Sequence, residues 1–76
     1  MNYVLLYKDE IIRKKCDYFE FLNLEEAMER FKQLKMELIA ESICSGNLKA
    51  QCNTPTCYTA TDGENWITIQ ITQTLD

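Results

Sequence analysis

Four cysteines, Cys16, Cys44, Cys52 and Cys57, are the residues of this 76-residue chain best suited to covalent or metal chemistry. Cys52-x4-Cys57, with Asn53, Thr54, Pro55 and Thr56 between, lies at the loose end of zinc-ligand spacings. Cys44 or Cys16 would have to complete such a set, and the chain has neither a Cys-x2-Cys knuckle nor a histidine. With no secretion signal in front of them, the thiols are expected to be reduced and free. Neither a metal nor a cofactor is expected, and a zinc-stabilised adaptor stands as the alternative.

Acid–base catalysis has little to draw on. Histidine is absent, and no serine or cysteine has an identifiable base or nucleophile-elbow motif beside it. The two glycines, Gly46 and Gly63, read as a helix cap and a turn rather than a phosphate-binding loop. Glu25 with Glu29, and Glu37 with Glu41, are carboxylate pairs four residues apart, expected on a solvated helix face. A one-helix domain of this size has little volume for a substrate pocket, so no enzyme is expected.

Binding remains. Trp66 opens a strand beside a polar Thr/Gln face, where it either anchors an interface or closes the end of the core; tryptophan and tyrosine dominate interface hot spots. Tyr58 precedes it on the neighbouring strand, and the sequence does not say whether the two share a face. The candidate partner-binding residues are therefore Glu25, Glu29, Glu37, Glu41, Tyr58 and Trp66. The terminal strand is a candidate for edge pairing with a partner or in a homodimer.

The element that must position these groups is a helix from Asn23 to Cys44. Asn23 is a good N-cap, Glu26 completes an Asn-x-x-Glu capping box, and Glu25 and Glu26 suit the positive end of the dipole. Leu24, Ala27, Met28, Phe31, Leu34 and Leu38 recur at helical spacing. Gly46 is the expected left-handed cap. An end near Met36, followed by a strand over Leu38–Cys44, is the competing reading, and the longer helix is preferred.

Around it lie short strands. Tyr3–Tyr7 and Glu10–Lys15 form the first hairpin about a Lys8-Asp9 turn, with Arg13-Lys14-Lys15 guarding an edge against aggregation. Tyr18, Phe19 and Phe21 extend this strand or lead into the helix. Leu48–Cys52, Cys57–Thr61 and Trp66–Thr74 follow, separated by turns at Asn53–Thr56 and Asp62–Asn65. In the last strand Ile67, Ile69 and Ile71 face the helix, while Trp66, Thr68, Gln70 and Thr72 face away. The fold is α+β, a single domain over residues 1–76, with one helix on a four- to five-stranded mostly antiparallel sheet in the order ββαβββ.

Composition narrows the partner. Net charge is −4, which opposes direct binding to nucleic-acid phosphates. Residues 1–15 carry four basic against two acidic side chains, and the remainder four against ten. This acidic body suits a basic protein surface. No apolar run approaches the ~20 residues of a transmembrane helix, so a cytoplasmic protein with no membrane contact is expected.

In size, acidity and ββαβββ order, with helix Asn23–Cys44 and hairpin Cys57–Thr74, the chain resembles the small inhibitor proteins that phages deploy against bacterial defences, anti-CRISPR proteins among them. The resemblance implies stoichiometric inhibition in the host cytoplasm: an acidic surface including Glu25, Glu29, Glu37 and Glu41 would occupy a basic nucleic-acid-binding groove or block a conformational step. Two alternatives remain beside the zinc adaptor. One is a sponge for a small anionic ligand such as a nucleotide, using Arg13–Lys15 and an oligomer interface. The other is a subunit of a larger machine.

Overall fold

Two strands of strong alternation meet in the middle of the sheet. A computed structural model describes residues 2–45 and 48–74, with the side chains of residues 43–45 outside that description. The elements are β1 (Asn2–Asp9), β2 (Lys15–Phe21), α1 (Leu24–Ser45), β3 (Lys49–Asn53), β4 (Cys57–Thr61) and β5 (Trp66–Thr74). They form a five-stranded sheet in the order β2-β1-β5-β4-β3, with every neighbouring pair antiparallel. The α+β architecture and the ββαβββ order are those expected. The terminal strand β5 is not an edge: it is paired on both sides, and the edges are β2 and β3.

Period-two alternation sends one set of side chains from each strand toward the helix. Leu5 and Tyr7 of β1, Tyr58 and Ala60 of β4, and Ile67 and Ile69 of β5 are buried there. Register aligns them in rows: Leu5 lies opposite Ile71 and Phe19, and Ile69 lies opposite Tyr7 and Tyr58. The helix meets them with Phe31, Leu34 and Leu38, at i, i+3 and i+7, and buries Ala27 as well. Each large side chain so buried contributes about 1.5–3 kcal/mol relative to exposure. Tertiary packing, more than propensity, holds the helix.

Two residues of the expected stripe fall outside this core. Leu24 is exposed and Met28 only half-buried, because α1 lies over β2, β1 and β5 and its N-terminal flank overhangs toward the β3–β4 turn. The N-cap is as expected: Asn23 Oδ1 accepts from the Glu25 amide at 2.7 Å, and its carbonyl accepts from the Ala27 amide at 3.2 Å. The helix is continuous through Met36 to Ser45, and Gly46 lies outside the described residues.

The first connection differs from the expected hairpin. Asp9 is not a turn residue; it ends β1 with its side chain buried, and residues 10–14 form the loop. Its carboxylate gathers the chain that follows: Oδ1 accepts from the amides of Ile11 and Ile12, both at 2.8 Å, and Oδ2 from the amide of Arg13 at 2.9 Å. A carboxylate that collects three successive amides dictates a loop where alternation alone suggests a strand. The aromatic run Tyr18–Phe21 therefore belongs to β2, with Phe19 and Phe21 toward the core and Tyr18 away from it.

Candidate protein-binding surfaces

Arg13 divides the acidic candidates into two groups. From the loop after β1 its Nη2 reaches Glu37 Oε1 at 3.2 Å and Glu41 Oε1 at 3.1 Å, and its Nε donates to Glu41 Oε2 at 3.2 Å. The C-terminal half of the acidic helix face is thus held by the chain's own guanidinium. Glu37 also lies 3.9 Å from Arg30, whose guanidinium stacks 5.5 Å from the Phe19 ring. The same contacts alter the Arg13–Lys15 segment expected to hold a small anionic ligand. Arg13 is engaged, Lys14 sits in the left-handed region with φ 53°, and Lys15 pairs with Asp17 at 3.1 Å at the start of β2.

Glu25 and Glu29 stand apart from this cluster. Among the described residues neither carboxylate has an ion-pair partner. They border a groove of about 570 Å³ between the helix and the β3–β4 turn, lined by Met28, Phe31, Met36 and Pro55 with Lys32 and Lys35. Leu24, Met28 and Met36 form a second apolar row at multiples of four along the helix, and Met36 is 59% exposed. Lys35 closes one side: its Nζ donates to Asn53 Oδ1 at 3.0 Å and lies 5.4 Å from the centre of the Phe31 ring. The turn wall is set by Thr54, whose amide donates to the Cys57 carbonyl at 2.8 Å and whose hydroxyl accepts from the Cys57 amide at 3.0 Å.

Trp66 and Tyr58 do not share a surface. Tyr58 is 6% exposed and faces the helix opposite Ile69, where burial pushes its phenol pKa up. Trp66 is 44% exposed on the outer face, which the helix leaves uncovered, as expected of an antiparallel sheet with one wet side. Its backbone is fixed by the loop after β1: the Glu10 amide donates to the Trp66 carbonyl at 3.1 Å, and the Trp66 amide donates to Glu10 Oε1 at 3.2 Å. Tyr18, 70% exposed, shares this outer face from the β2 edge. Helix-face acids and Trp66 are therefore on opposite sides of the molecule, and one flat partner surface cannot meet both.

The cysteines are also sorted by the sheet. Cys16 is on edge strand β2, while Cys52 and Cys57 are on β3 and β4. Four strand spacings of about 4.8 Å separate the two edges by roughly 19 Å, so Cys16 cannot join the other two around one ion. Among the described residues no three His, Cys, Asp or Glu side chains gather as a metal set, and the Cys44 side chain is outside that description.

The buried acid is Asp9. It is 2% exposed and holds, besides the three amides, the Tyr7 hydroxyl at 2.6 Å. Burial acts to raise its pKa, but the Tyr7 hydrogen bond and the amides of Arg13, Ile11 and Ile12 outweigh burial and lower it. A fully satisfied, ionised carboxylate of this kind orders a loop and has no free lone pair for a substrate. Sequence reasoning missed it, because only its burial, which depends on the fold, distinguishes it from an ordinary turn aspartate. No helix among the described residues is long and apolar enough to cross a membrane. Comparison of the chain with protein-family models, with curated proteins and with solved structures finds no match.

Proposed function

We propose that the chain is a non-enzymatic protein-binding module that docks a basic partner surface against the helix groove. The observation that carries this reading is the pairing of Glu25 and Glu29, which have no ion-pair partner among the described residues, with an apolar row, exposed Leu24 and Met36 and half-buried Met28, beside a preformed concavity. Methionine adapts its shape to a partner at low cost, and the two carboxylates confer charge selectivity on an otherwise apolar contact. Glu37 and Glu41, already bound to Arg13, border this surface rather than form its centre.

The partner class that fits the charge is a protein whose own groove binds nucleic acid, and the mode is stoichiometric inhibition of such a complex in a bacterial defence system. Net charge −4 keeps the module itself off nucleic acid. The test is phage plaquing on bacteria with active CRISPR immunity that express the protein. Relief of immunity that disappears in the Glu25→Lys/Glu29→Lys double variant, with its circular dichroism unchanged, is the expected result. Full immunity against every CRISPR type assayed, with the protein expressed and folded, would sink the inhibitor reading.

A further inference from the structure

One irregularity of the sheet decides where a second chemistry lies. In β3, Ala50 is paired with Ala60 but Cys52 with Thr59, so a β-bulge at Gln51 shifts the register by one. Ala60 faces the helix and Thr59 the outer side, since Thr59 pairs with Thr68 while Ala60 pairs with Ile67. Without the bulge, Cys52 would follow Ala50 onto the helix side; with it, Cys52 turns outward. Cys57, two residues before Thr59 on β4, points to that same outer face. The regular turn between them, closed by the Thr54 amide on the Cys57 carbonyl at 2.8 Å, holds the two strands in register.

We infer that Cys52 and Cys57 are a redox-convertible dithiol, closed to an intramolecular disulfide by exchange with a low-molecular-weight disulfide such as oxidised glutathione. Both thiols are free and half-buried on a face that no other element covers among the described residues. They are in contact: burial first, and then the hydrogen bond to Cys52, push the Cys57 thiol above its ordinary pKa. The exchange begins at Cys52, because its neighbour Cys57 holds its proton more tightly than an ordinary thiol. The Cys52 thiolate displaces one glutathione as a thiolate and forms a mixed disulfide. Cys57 then loses its proton and attacks the Cys52 sulfur, releasing the second glutathione. Two protein thiols lose two electrons and two protons, and one glutathione disulfide becomes two glutathiones. A thiol already held beside the mixed disulfide closes the ring faster than a second glutathione can arrive from solution.

The ring encloses Asn53, Thr54, Pro55 and Thr56, and the first three of these form the turn wall of the groove. Oxidation thus fixes that wall, whether or not the groove takes a partner. Cys16, exposed on the opposite edge strand, is the internal reference for a lone thiol.

The experiment equilibrates the whole reduced protein in glutathione buffers of increasing oxidised fraction. Samples are quenched with acid, alkylated with N-ethylmaleimide, and read by intact mass and peptide mapping. The expected result is loss of two alkylatable thiols without added glutathione mass, mapped as a Cys52–Cys57 link, while Cys16 is alkylated or carries glutathione. In Cys52→Ser and in Cys57→Ser, the remaining partner carries glutathione and no such link forms. Separate glutathione adducts on Cys52 and Cys57 in the wild-type protein would overturn the inference. So would a link through Cys16 or Cys44, or thiols that stay reduced in buffers that modify Cys16.

Discussion

The Tyr7 hydroxyl donates to Asp9 Oδ2 at 2.6 Å, and through that carboxylate the sheet core is joined to the loop that carries Arg13. One short chain of contacts thus runs from a buried phenol to a charge cluster on the helix: Tyr7, Asp9, the Arg13 amide, and the Arg13 guanidinium on Glu41.

Removing the acid should cost more than any other polar change in the chain. Asp9→Ala leaves the Tyr7 hydroxyl and three amides without their acceptor, an expected loss of about 3 kcal/mol, because hydrogen bonds to a buried charge are worth about 1.5–3 kcal/mol. Tyr7→Phe removes a single donor and should cost about 1 kcal/mol. Urea denaturation of both variants measures the difference; equal losses would show that the carboxylate does not organise the loop.

Stability should fall at both ends of the pH scale, for opposite reasons. The folded-state pKa of Asp9 lies below its ordinary value of 3.8, so its contribution is present above that value and is lost as pH falls through the lowered one. The folded-state pKa of Tyr7 lies above its ordinary 10.0, because of burial first and then the bond to Asp9. Its contribution is complete below 10.0 and is lost as pH rises toward the raised value. Thermal unfolding midpoints should be flat between these limits. Asp9→Asn should flatten the acid limb, and an unchanged acid limb in that variant would contradict the assignment.

The Arg13 cluster is half-exposed, with the guanidinium side chain 27% and the Glu41 side chain 41% accessible. Its worth is accordingly modest. A double-mutant cycle of Arg13→Ala and Glu41→Ala should return a coupling of about 0.5–1 kcal/mol that shrinks in high salt. A coupling of several kcal/mol would mean that the helix is held by charge rather than by its apolar seam.

Along the helix, Phe31→Ala and Met36→Ala should separate cleanly. Phe31 is fully buried at the centre of the core and should cost about 3–5 kcal/mol, enough to unfold a domain of this size. Met36 should cost within about 0.5 kcal/mol, as a surface position does. Circular dichroism during denaturation decides; a large loss at Met36 would place it in the core and remove it from the groove surface.

Gly63 has φ +106° in the turn after β4, where the Asp62 carboxylate accepts from the amides of Glu64 and Asn65 at 2.9 and 2.8 Å. A Cβ there would meet open space, so only the backbone objects. Gly63→Ala should therefore cost about 1–2 kcal/mol of backbone strain with no loss of packing. A neutral result would mean that the turn relaxes to another conformation.

Periodicity made the helix, the last two strands and the isoleucine face legible, since each has a long run of one period bounded by turn residues. The loop after β1 was not legible in that way. Ile11 and Ile12 look like strand residues, and only the buried placement of Asp9, which depends on the fold, turns them into a loop. Which strand lies at the edge is likewise a matter of pairing between distant segments, on which local pattern is silent. The same holds for the site. Glu37 and Glu41 look identical to Glu25 and Glu29 until Arg13 arrives from 24 to 28 residues away. Tyr58 and Trp66 part company because Tyr58 lies two positions from its face-mate Ala60, and Ala60 pairs with Ile67, not Trp66.

The pairing of β1 with β5 brings Asn2 beside Thr74, and the Thr74 hydroxyl donates to the Asn2 carbonyl at 3.1 Å. Because these neighbours run antiparallel, a pull applied at residues 2 and 74 loads their ladder from one end. It peels the bonds in succession instead of shearing them all at once. The join between the two halves of the sheet is thus mechanically soft in the one direction that its ends define. A force sensor or unfolding machine gripping the chain there would open it far more readily than one pulling along the strands.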